Sequence, residues 1–147
     1  MIRAATLDDV PVLMALEKHA VTAAHWSGAQ YHAVFAATQI PRFALVIEDG
    51  HAIQGFLVAR GVGSEWELEN IAVAGPARRH GLGTQLLAEF LSAARSRGAT
   101  AVFLEVRESN SAARRLYEKS AFFETGRRAH YYHDPEEAAV TYRRGFP

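Results

Sequence analysis

An apolar segment joined to an amphipathic segment through a glycine loop is the feature that most restricts how this chain can fold. Residues 65–73 alternate at first and then become continuously apolar, as in a strand that enters a hydrophobic core. Gly75-Pro76 breaks the chain, and residues 81–97 then place leucines, Phe90 and Ala94 along one side, which predicts the clearest helix of the sequence. A buried strand followed by a packed helix predicts a mixed α/β structure.

The other segments extend this pattern into a single domain. Thr6 and Ser27 are N-cap candidates, and Asp49-Gly50 is a strong hairpin signal between two segments rich in strand formers. We predict the order β-α-α-β-β-β-α-β-α-β-β for residues 1–147, with no linker to divide them. The predicted strands are residues 2–5, 42–49, 51–62, 65–73, 100–106, 122–131 and 138–145, and the predicted helices are residues 7–20, 81–97, 111–120 and a short one between Ser27 and Pro41.

Composition excludes several classes of function. The apolar fraction, 49% of 147 residues, is large enough for a packed core. The balance of 16 basic and 16 acidic residues gives no general attraction to nucleic acid or anionic membranes. The chain has no cysteine, which excludes a disulfide framework, a thiolate nucleophile and a cysteine-based zinc site. No segment suits a signal peptide or a membrane span, so we expect a soluble, cytoplasmic protein.

The glycine loop Arg78–Thr84 has the properties of a pyrophosphate-binding site. It joins the apolar strand to the N-terminus of the best helix, and its two glycines let the backbone approach a ligand closely. The N–H groups and the dipole at a helix N-terminus bind anions, and Arg78 and Arg79 add positive charge beside them.

Two common nucleotide-binding loops are excluded at this position. A Rossmann fingerprint requires a third glycine where the chain has Leu86, and a P-loop requires a lysine that Gly83-Thr84-Gln85 lacks. The pattern Arg78-x-x-Gly81-x-Gly83 instead resembles the pyrophosphate loop of the GNAT superfamily, which reads Arg/Gln-x-x-Gly-x-Gly/Ala.

A second constellation lies in the segment Leu104–Lys119. Glu105 interrupts an otherwise apolar strand, where a buried carboxylate is costly unless it is paired, protonated or useful. Asn110 and Tyr117 are seven residues apart, so they lie on one face of the following helix. Together with Asn70–Val73 and the glycine loop, this segment is similar to the RimI-type ribosomal-protein alanine N-acetyltransferases within the GNAT superfamily. The similarity covers most of the chain and is tightest over residues 68–132.

The resemblance implies both a fold and a site. The fold is the GNAT fold, a single α/β (α+β) domain with a mixed, mostly antiparallel central sheet flanked by about four helices. The co-substrate is acetyl-CoA, Glu105 is the proton acceptor and Tyr117 is the proton donor. The cofactor-binding residues that the resemblance implies are Ile71, Ala72, Val73, Arg79, His80, Gly81, Leu82, Gly83, Thr84 and Asn110.

The residue types fit direct attack of an amine on a thioester, because the chain offers no cysteine for a covalent intermediate. An α-amino group is less basic than a lysine side chain, so a modest base such as Glu105 suits it better. We therefore expect acetyl transfer to the N-terminal α-amino group of a protein, of the ribosomal-protein alanine type. One alternative is an acetyltransferase whose acceptor is a small amine or polyamine. Another is a non-catalytic module that binds acyl-CoA. We expect no nucleic-acid or membrane partner.

Structural roles compete with the catalytic ones. Glu105 could serve only as an ion-pair partner, for instance of Arg107 or Arg114. We nevertheless expect Arg107, Arg114 and Arg115 mostly to form a solvated face. Tyr117 could be a core tyrosine with a satisfied hydroxyl. Glu69, on the strand at residues 65–73, is a rival base, and its expected role is to attract a cationic peptide.

The C-terminal third carries further candidates and two departures from the family pattern. His130–His133 (His-Tyr-Tyr-His) is a candidate peptide-binding wall, and Arg127-Arg128 could orient the substrate. No histidine spacing pairs with carboxylates as a metal site requires, so we expect no metal. Ser120-Ala121 replaces the usual Leu-Gly, and Thr141-Tyr142-Arg143 replaces a more aliphatic strand. These departures bear on the acceptor rather than on the expected chemistry.

Overall fold

The computed structural model describes residues 1–18, 26–36, 40–75 and 81–147, which form one mixed sheet with helices on both faces. The strands are β1 (Ile2–Ala4), β2 (Arg42–Asp49), β3 (Ala52–Val62), β4 (Glu65–Val73), β5 (Ala101–Arg107), β6 (Phe123–Tyr132) and β7 (Glu137–Gly145). The helices are α1 (Val10–Glu17), which follows a 3-10 turn at Leu7–Asp9, α2 (Gly28–Val34), α3 (Leu82–Ser96) and α4 (Ser111–Lys119). The predicted order of elements is confirmed.

The sheet is mostly antiparallel, as the resemblance implied. Its strand order is β1-β2-β3-β4-β5-β7-β6, and the pairing of β4 with β5 is parallel whereas the other described pairings are antiparallel. The parallel pairing stops at Glu67 and Phe103, although both strands continue. The register of β4 against β3 also shifts at Glu69, which forms a bulge. We call the space between residues 68–73 of β4 and residues 104–107 of β5 the β4–β5 opening.

Two apolar layers cover the sheet. On one face, α3 buries Leu86, Leu87, Phe90, Leu91 and Ala94, whose spacing of three and four residues forms a single helical stripe. On the other face, α1 and α2 pack against Val46, Phe56 and Val58 of the sheet. Each large apolar side chain buried in this way contributes about 1.5–3 kcal/mol to stability. These contacts hold α3 on one face of the sheet and α1 and α2 on the other. Among the described residues, no helix has the length and apolar character needed to cross a membrane.

A buried hydrogen-bond network ties α1 and α2 to β4. The Glu17 carboxylate accepts hydrogen bonds from the Trp26 N–H at 2.6 Å and from Asn70 Nδ2 at 3.3 Å. Asn70 Nδ2 also donates to the hydroxyl oxygen of Tyr31 at 3.2 Å. Glu17, Asn70 and Tyr31 are all buried, and burial raises the pKa of Tyr31. These polar groups satisfy one another inside the core, which fixes the two helices relative to the strand.

The helix ends follow local capping rules. Ser27 Oγ accepts a hydrogen bond from the Gln30 N–H, and the Gln30 side chain accepts one from the Ser27 N–H, so the predicted N-cap is confirmed as a capping box. The helix predicted over residues 7–20 is shorter, because Leu7–Asp9 form a 3-10 turn and α1 ends at Glu17. Residues 19 and 20 of that prediction lie outside the described residues.

The departure at Ser120-Ala121 has a structural consequence. Ala121 follows α4 with a φ of +64°, the left-handed conformation that glycine adopts without penalty. The N–H of Phe122 donates to the Tyr117 carbonyl at 3.0 Å and closes the end of the helix. The chain therefore makes this left-handed turn with an alanine, which is under backbone strain.

Candidate functional site

The β4–β5 opening is bordered by the strand segment that the sequence assigned to the cofactor. Ile71 and Ala72 are buried, and β3 pairs with this stretch through Leu57↔Ile71 and Phe56↔Ala72. The other edge of the same segment, up to Val73, turns toward the opening, because pairing with β5 has ended at Glu67. Backbone groups along a strand edge can bind an extended ligand as a neighbouring strand would.

The N-terminus of α3 lies at one end of this opening. Gly81 is its N-cap with a φ of +77°, and the first hydrogen bond within the helix runs from the Gln85 N–H to the Gly81 carbonyl at 3.0 Å. The N–H groups of residues 82–84 therefore have no acceptor inside the helix, and no side chain among the described residues caps it. A Cβ added at Gly83 would lie 3.5 Å from Leu116 and 3.8 Å from Val73, so α3, α4 and β4 meet here. This terminus fits a phosphate group.

Two predicted members of the pyrophosphate loop, Arg79 and His80, lie outside the described residues, as does Arg78. Asn110, another predicted cofactor residue, is the N-cap of α4, and its Oδ1 accepts a hydrogen bond from the Ala113 N–H at 3.2 Å. It therefore lies immediately after β5, at the same end of the sheet as the N-terminus of α3.

Glu105 projects from β5 on the face opposite Leu104 and Val106, which belong to the core beneath α3 and α4. Its side chain is 17% exposed, and Arg128 Nε lies 3.3 Å from its Oε2 atom. This contact does not have hydrogen-bond geometry, and the buried Oε2 has no hydrogen-bond partner among the described residues. A buried carboxylate oxygen in this state is unusual and leaves a position for a donor from a ligand.

The sequence suggested Arg107 or Arg114 as the ion-pair partner of Glu105, and both suggestions are wrong. Its ion-pair partner is Arg128 of β6, whereas Arg107 and Arg114 are engaged elsewhere. The expectation that those two arginines form a solvated face is also wrong, because each binds specific groups of β7 or of the β6–β7 hairpin. Arg127, in contrast, pairs with exposed carboxylates of Glu108 and Glu124.

Tyr117 lies in the core on the face of the sheet that carries Leu104 and Val106, opposite the face of Glu105. It is 4% exposed, and its ring packs against Phe122 and Tyr142 with centroid distances of 5.8 and 6.1 Å. Burial raises the pKa of Tyr117, and the nearby Tyr132 raises it further. The phenol is therefore protonated at neutral pH, as a proton donor must be.

Arg107 holds the β6–β7 hairpin against the site and was not recognised from the sequence. Its guanidinium donates to the carbonyls of His133 and Pro135, both at 3.0 Å, and lies 4.5 Å from the ring centroid of Tyr132. Burial raises the pKa of Tyr132 to about 12, with a further contribution from the negative charge of Glu105. Arg107 follows Glu105 by two residues on β5, so both side chains lie on the same face of the sheet. This spacing could have identified Arg107 as a residue of the site.

Glu67 and Glu69, two of the three glutamates on β4, are each paired with an arginine. Glu69 Oε1 lies 2.7 Å from Arg42 Nη1, and Glu67 Oε1 lies 2.8 Å from Arg60 Nε. Burial raises the pKa of Glu69, and the positive charge of Arg42 opposes that rise. Both carboxylates hydrogen-bond to their arginines, whereas the Oε2 atom of Glu105 has no such bond within the part of the chain that the structure describes.

No group of three or more His, Asp or Glu side chains within the described ranges is arranged to hold a metal ion. The absence of a metal stays a prediction.

Comparisons with known proteins agree with this geometry. Residues 13–122 match the Acetyltransferase (GNAT) family. The chain is 34% identical over 125 residues to the [ribosomal protein bS18]-alanine N-acetyltransferase of Escherichia coli strain K12, covering 84% of this chain and 81% of the relative. It is 46% identical over 70 residues to an N-alpha-acetyltransferase of Sulfurisphaera tokodaii, covering 47% of this chain and 42% of the relative.

A solved structure extends the similarity to the whole fold. The crystal structure of the ribosomal-protein-S18-alanine N-acetyltransferase from Escherichia coli superposes with a TM-score of 0.86 and 31% sequence identity. The match covers 99% of this chain and 92% of that chain. The chain therefore belongs to the GNAT acetyltransferase family and is an acetyl-CoA-dependent N-acetyltransferase.

Proposed function

We propose that this enzyme acetylates the N-terminal α-amino group of a protein, of the ribosomal-protein alanine type. The observation that carries the proposal is the buried Oε2 of Glu105, which lacks a hydrogen-bond partner among the described residues and lies beside the β4–β5 opening. Tyr117 is buried in the core on the other face of the sheet, and burial raises the pKa of its phenol, so it stays protonated at neutral pH. Such a pair offers one acceptor and one donor of protons. Relatives named for α-amino or alanine acetylation support the choice of acceptor.

In the proposed reaction a neutral amine attacks the thioester carbonyl carbon. A nitrogen–carbon bond forms and the carbon–sulfur bond breaks. Glu105 accepts the proton that the amine nitrogen loses, directly or through a water molecule, and Tyr117 donates a proton to the departing thiolate. Exchange with solvent then restores both groups, and the products are the N-acetylated chain and CoA. An α-amino group is less basic than a lysine side chain, so a carboxylate can deprotonate it more easily.

The cofactor is assigned to the same opening. Backbone groups of β4 would hold the pantetheine arm and the thioester carbonyl, and the N–H groups at the start of α3 would bind the pyrophosphate. The left-handed Gly81 and the N-terminus of α3, which no side chain of the described residues caps, support this assignment. The proposed cofactor-binding residues are Ile71, Ala72, Val73, Gly81, Leu82, Gly83, Thr84 and Asn110, together with Arg79 and His80 from outside the described residues.

We also propose that residues 1–147 act as one catalytic domain with no metal, in the cytoplasm, and without nucleic-acid or membrane partners. The neutral net charge of the chain supports the last point.

The acceptor is tested by following CoA release with a thiol-reactive dye. Because the chain has no cysteine, every thiol that the dye detects comes from CoA. The substrates are an alanine-initiated peptide, the same peptide with a blocked N-terminus and an internal lysine, and a polyamine. We expect turnover with the first and little with the other two. Preferred transfer to the lysine or the polyamine would refute the proposed acceptor.

The residue roles are tested with three variants in the same assay. Glu105→Gln and Tyr117→Phe should each lower kcat by about 100-fold or more, with CoA affinity by calorimetry unchanged. Glu69→Gln is the matched comparison, since Glu69 is a carboxylate on the neighbouring strand that already pairs with Arg42. We expect it to retain most of the turnover. Loss of activity in Glu69→Gln but not in Glu105→Gln would move the base to β4.

A further inference from the structure

Helix α4 carries Tyr117 but is held by few buried side chains. It has nine residues, of which Ala113 and Tyr117 are buried. A helix this short is marginal on its own, so its position depends on tertiary contacts. Whatever fixes α4 on the sheet therefore also fixes the position of the Tyr117 hydroxyl.

The hydroxyl of Tyr142 binds two side chains of α4, those of Arg114 and Glu118, and we call this pair of hydrogen bonds the clamp. Tyr142 belongs to β7, is fully buried and lies opposite Leu104 of β5 in the sheet register. Its hydroxyl accepts a hydrogen bond from Arg114 Nε at 3.0 Å and donates one to Glu118 Oε2 at 2.8 Å. Arg114 and Glu118 are four residues apart, so they lie one above the other on the same face of α4. Hydrogen bonds to charged groups of this kind are the stronger ones in proteins.

The same tyrosine contacts the proposed acid directly. The rings of Tyr142 and Tyr117 are 6.1 Å apart between centroids, at an angle of 51°. Arg114 also donates from Nη1 to the Glu108 carbonyl at 2.9 Å, which links α4 to the turn that follows β5. Tyr142 thus fixes both the rotation of α4 about its axis and the surface on which the Tyr117 ring rests.

We propose that Tyr142, through its hydrogen bonds to Arg114 and Glu118, is a positioning residue that aligns Tyr117 for protonation of the leaving thiolate. The inference rests on the proposed role of Tyr117 as the acid. Removing the hydroxyl leaves the ring packing in place but lets α4 shift, and small misplacements of a reacting group slow catalysis strongly.

The test is the kinetics of Tyr142→Phe with acetyl-CoA and the best peptide, well below the melting temperature. We expect kcat to fall about tenfold while KM for both substrates changes by less than about twofold. Tyr31→Phe is the matched control, because it also removes a fully buried, hydrogen-bonded hydroxyl, but on the opposite face of the sheet. We expect this control to keep its kcat. An equal loss of kcat in both variants would indicate general destabilisation and overturn the inference.

A double variant distinguishes positioning from a separate structural effect. Tyr117→Phe/Tyr142→Phe should have the same kcat as Tyr117→Phe, because Tyr142 acts through Tyr117. Additive losses would overturn the inference. Glu118→Gln, which keeps an oxygen acceptor for the Tyr142 hydroxyl, should retain more kcat than Glu118→Ala, and equal losses would count against the clamp.

The outcomes also separate this inference from the proposed function. If Tyr117→Phe has normal turnover, the proposed acid is wrong and the clamp has no catalytic consequence. If Tyr117→Phe is slow but Tyr142→Phe matches the unmodified enzyme, the inference about Tyr142 alone is wrong.

Discussion

Gly55 of β3 lies against the part of β4 that is proposed to hold the thioester. A Cβ added at this position would lie 2.9 Å from the Ala72 carbonyl oxygen and 3.3 Å from Val73 Cγ2 and Ile47 Cγ2. Because ordinary van der Waals contact begins near 3.4 Å, Gly55→Ala must push the Ala72 peptide group away by roughly 0.5 Å. The displaced group is backbone within a paired strand, so it cannot rotate aside.

Overpacking of this kind costs about 1–3 kcal/mol of unfolding free energy. For a chain of this length we expect the melting temperature to fall by about 3–8 °C. The movement of β4 should also raise KM for acetyl-CoA more than KM for the peptide, since the cofactor is the substrate proposed to bond this strand. A shift of the reacting carbonyl should lower kcat as well.

The measurements are differential scanning calorimetry and steady-state kinetics on Gly55→Ala and on Gly126→Ala. An added Cβ at Gly126, in β6, would have no atom of the described residues within 4 Å, so its substitution tests the effect of alanine without a clash. We expect the control to retain its KM for acetyl-CoA. The reasoning would be refuted if Gly55→Ala kept both its melting temperature and its KM for acetyl-CoA.

Two further predictions concern stability. Ala121→Gly should raise the free energy of unfolding by about 1 kcal/mol in urea denaturation, because it removes the strain of the +64° φ after α4, and no increase would contradict that assignment. Arg3 binds Asp9 through two hydrogen bonds and lowers the Asp9 pKa to about 2, so the pair adds stability that is fully present above about pH 4 and lost as pH falls through about 2. Asp9→Asn should therefore lower the free energy of unfolding by only about 1 kcal/mol at pH 7, because solvent at the partly exposed Arg3 screens the ion pair. This loss should shrink as the pH approaches 2. A loss that is the same at every pH would contradict the linkage between Asp9 protonation and stability.

The order of the elements could be read from the sequence because the signals for it are local. Hydrophobic periodicity marked β4 and α3 to within one residue at each end. A capping side chain bonds to backbone groups two or three residues further along the chain, so Ser27 could be recognised as a helix start without knowledge of the fold. The glycine loop and Glu105 could also be recognised from the sequence. Each differs in residue type from the neighbouring residues of the chain.

The partners of the charged side chains were decided by the tertiary structure. Glu105 pairs with Arg128, which lies two strands away in the sheet, and not with the arginines nearer in sequence. Arg107 and Arg114, expected to be solvated, instead bind the hairpin after β6 and the hydroxyl of Tyr142. Such contacts depend on strand order, on register and on bulges, which place residues far apart in the chain side by side.

By itself, then, the sequence determined the elements and the residue types available for chemistry. The tertiary structure decided where β4 separates from β5, which opens the site, and which buried carboxylate oxygen has no hydrogen-bond partner in the described ranges. The physical reason is that periodicity and capping are short-range properties of the backbone. Strand separation and ion pairing instead depend on how all the strands and helices pack at once.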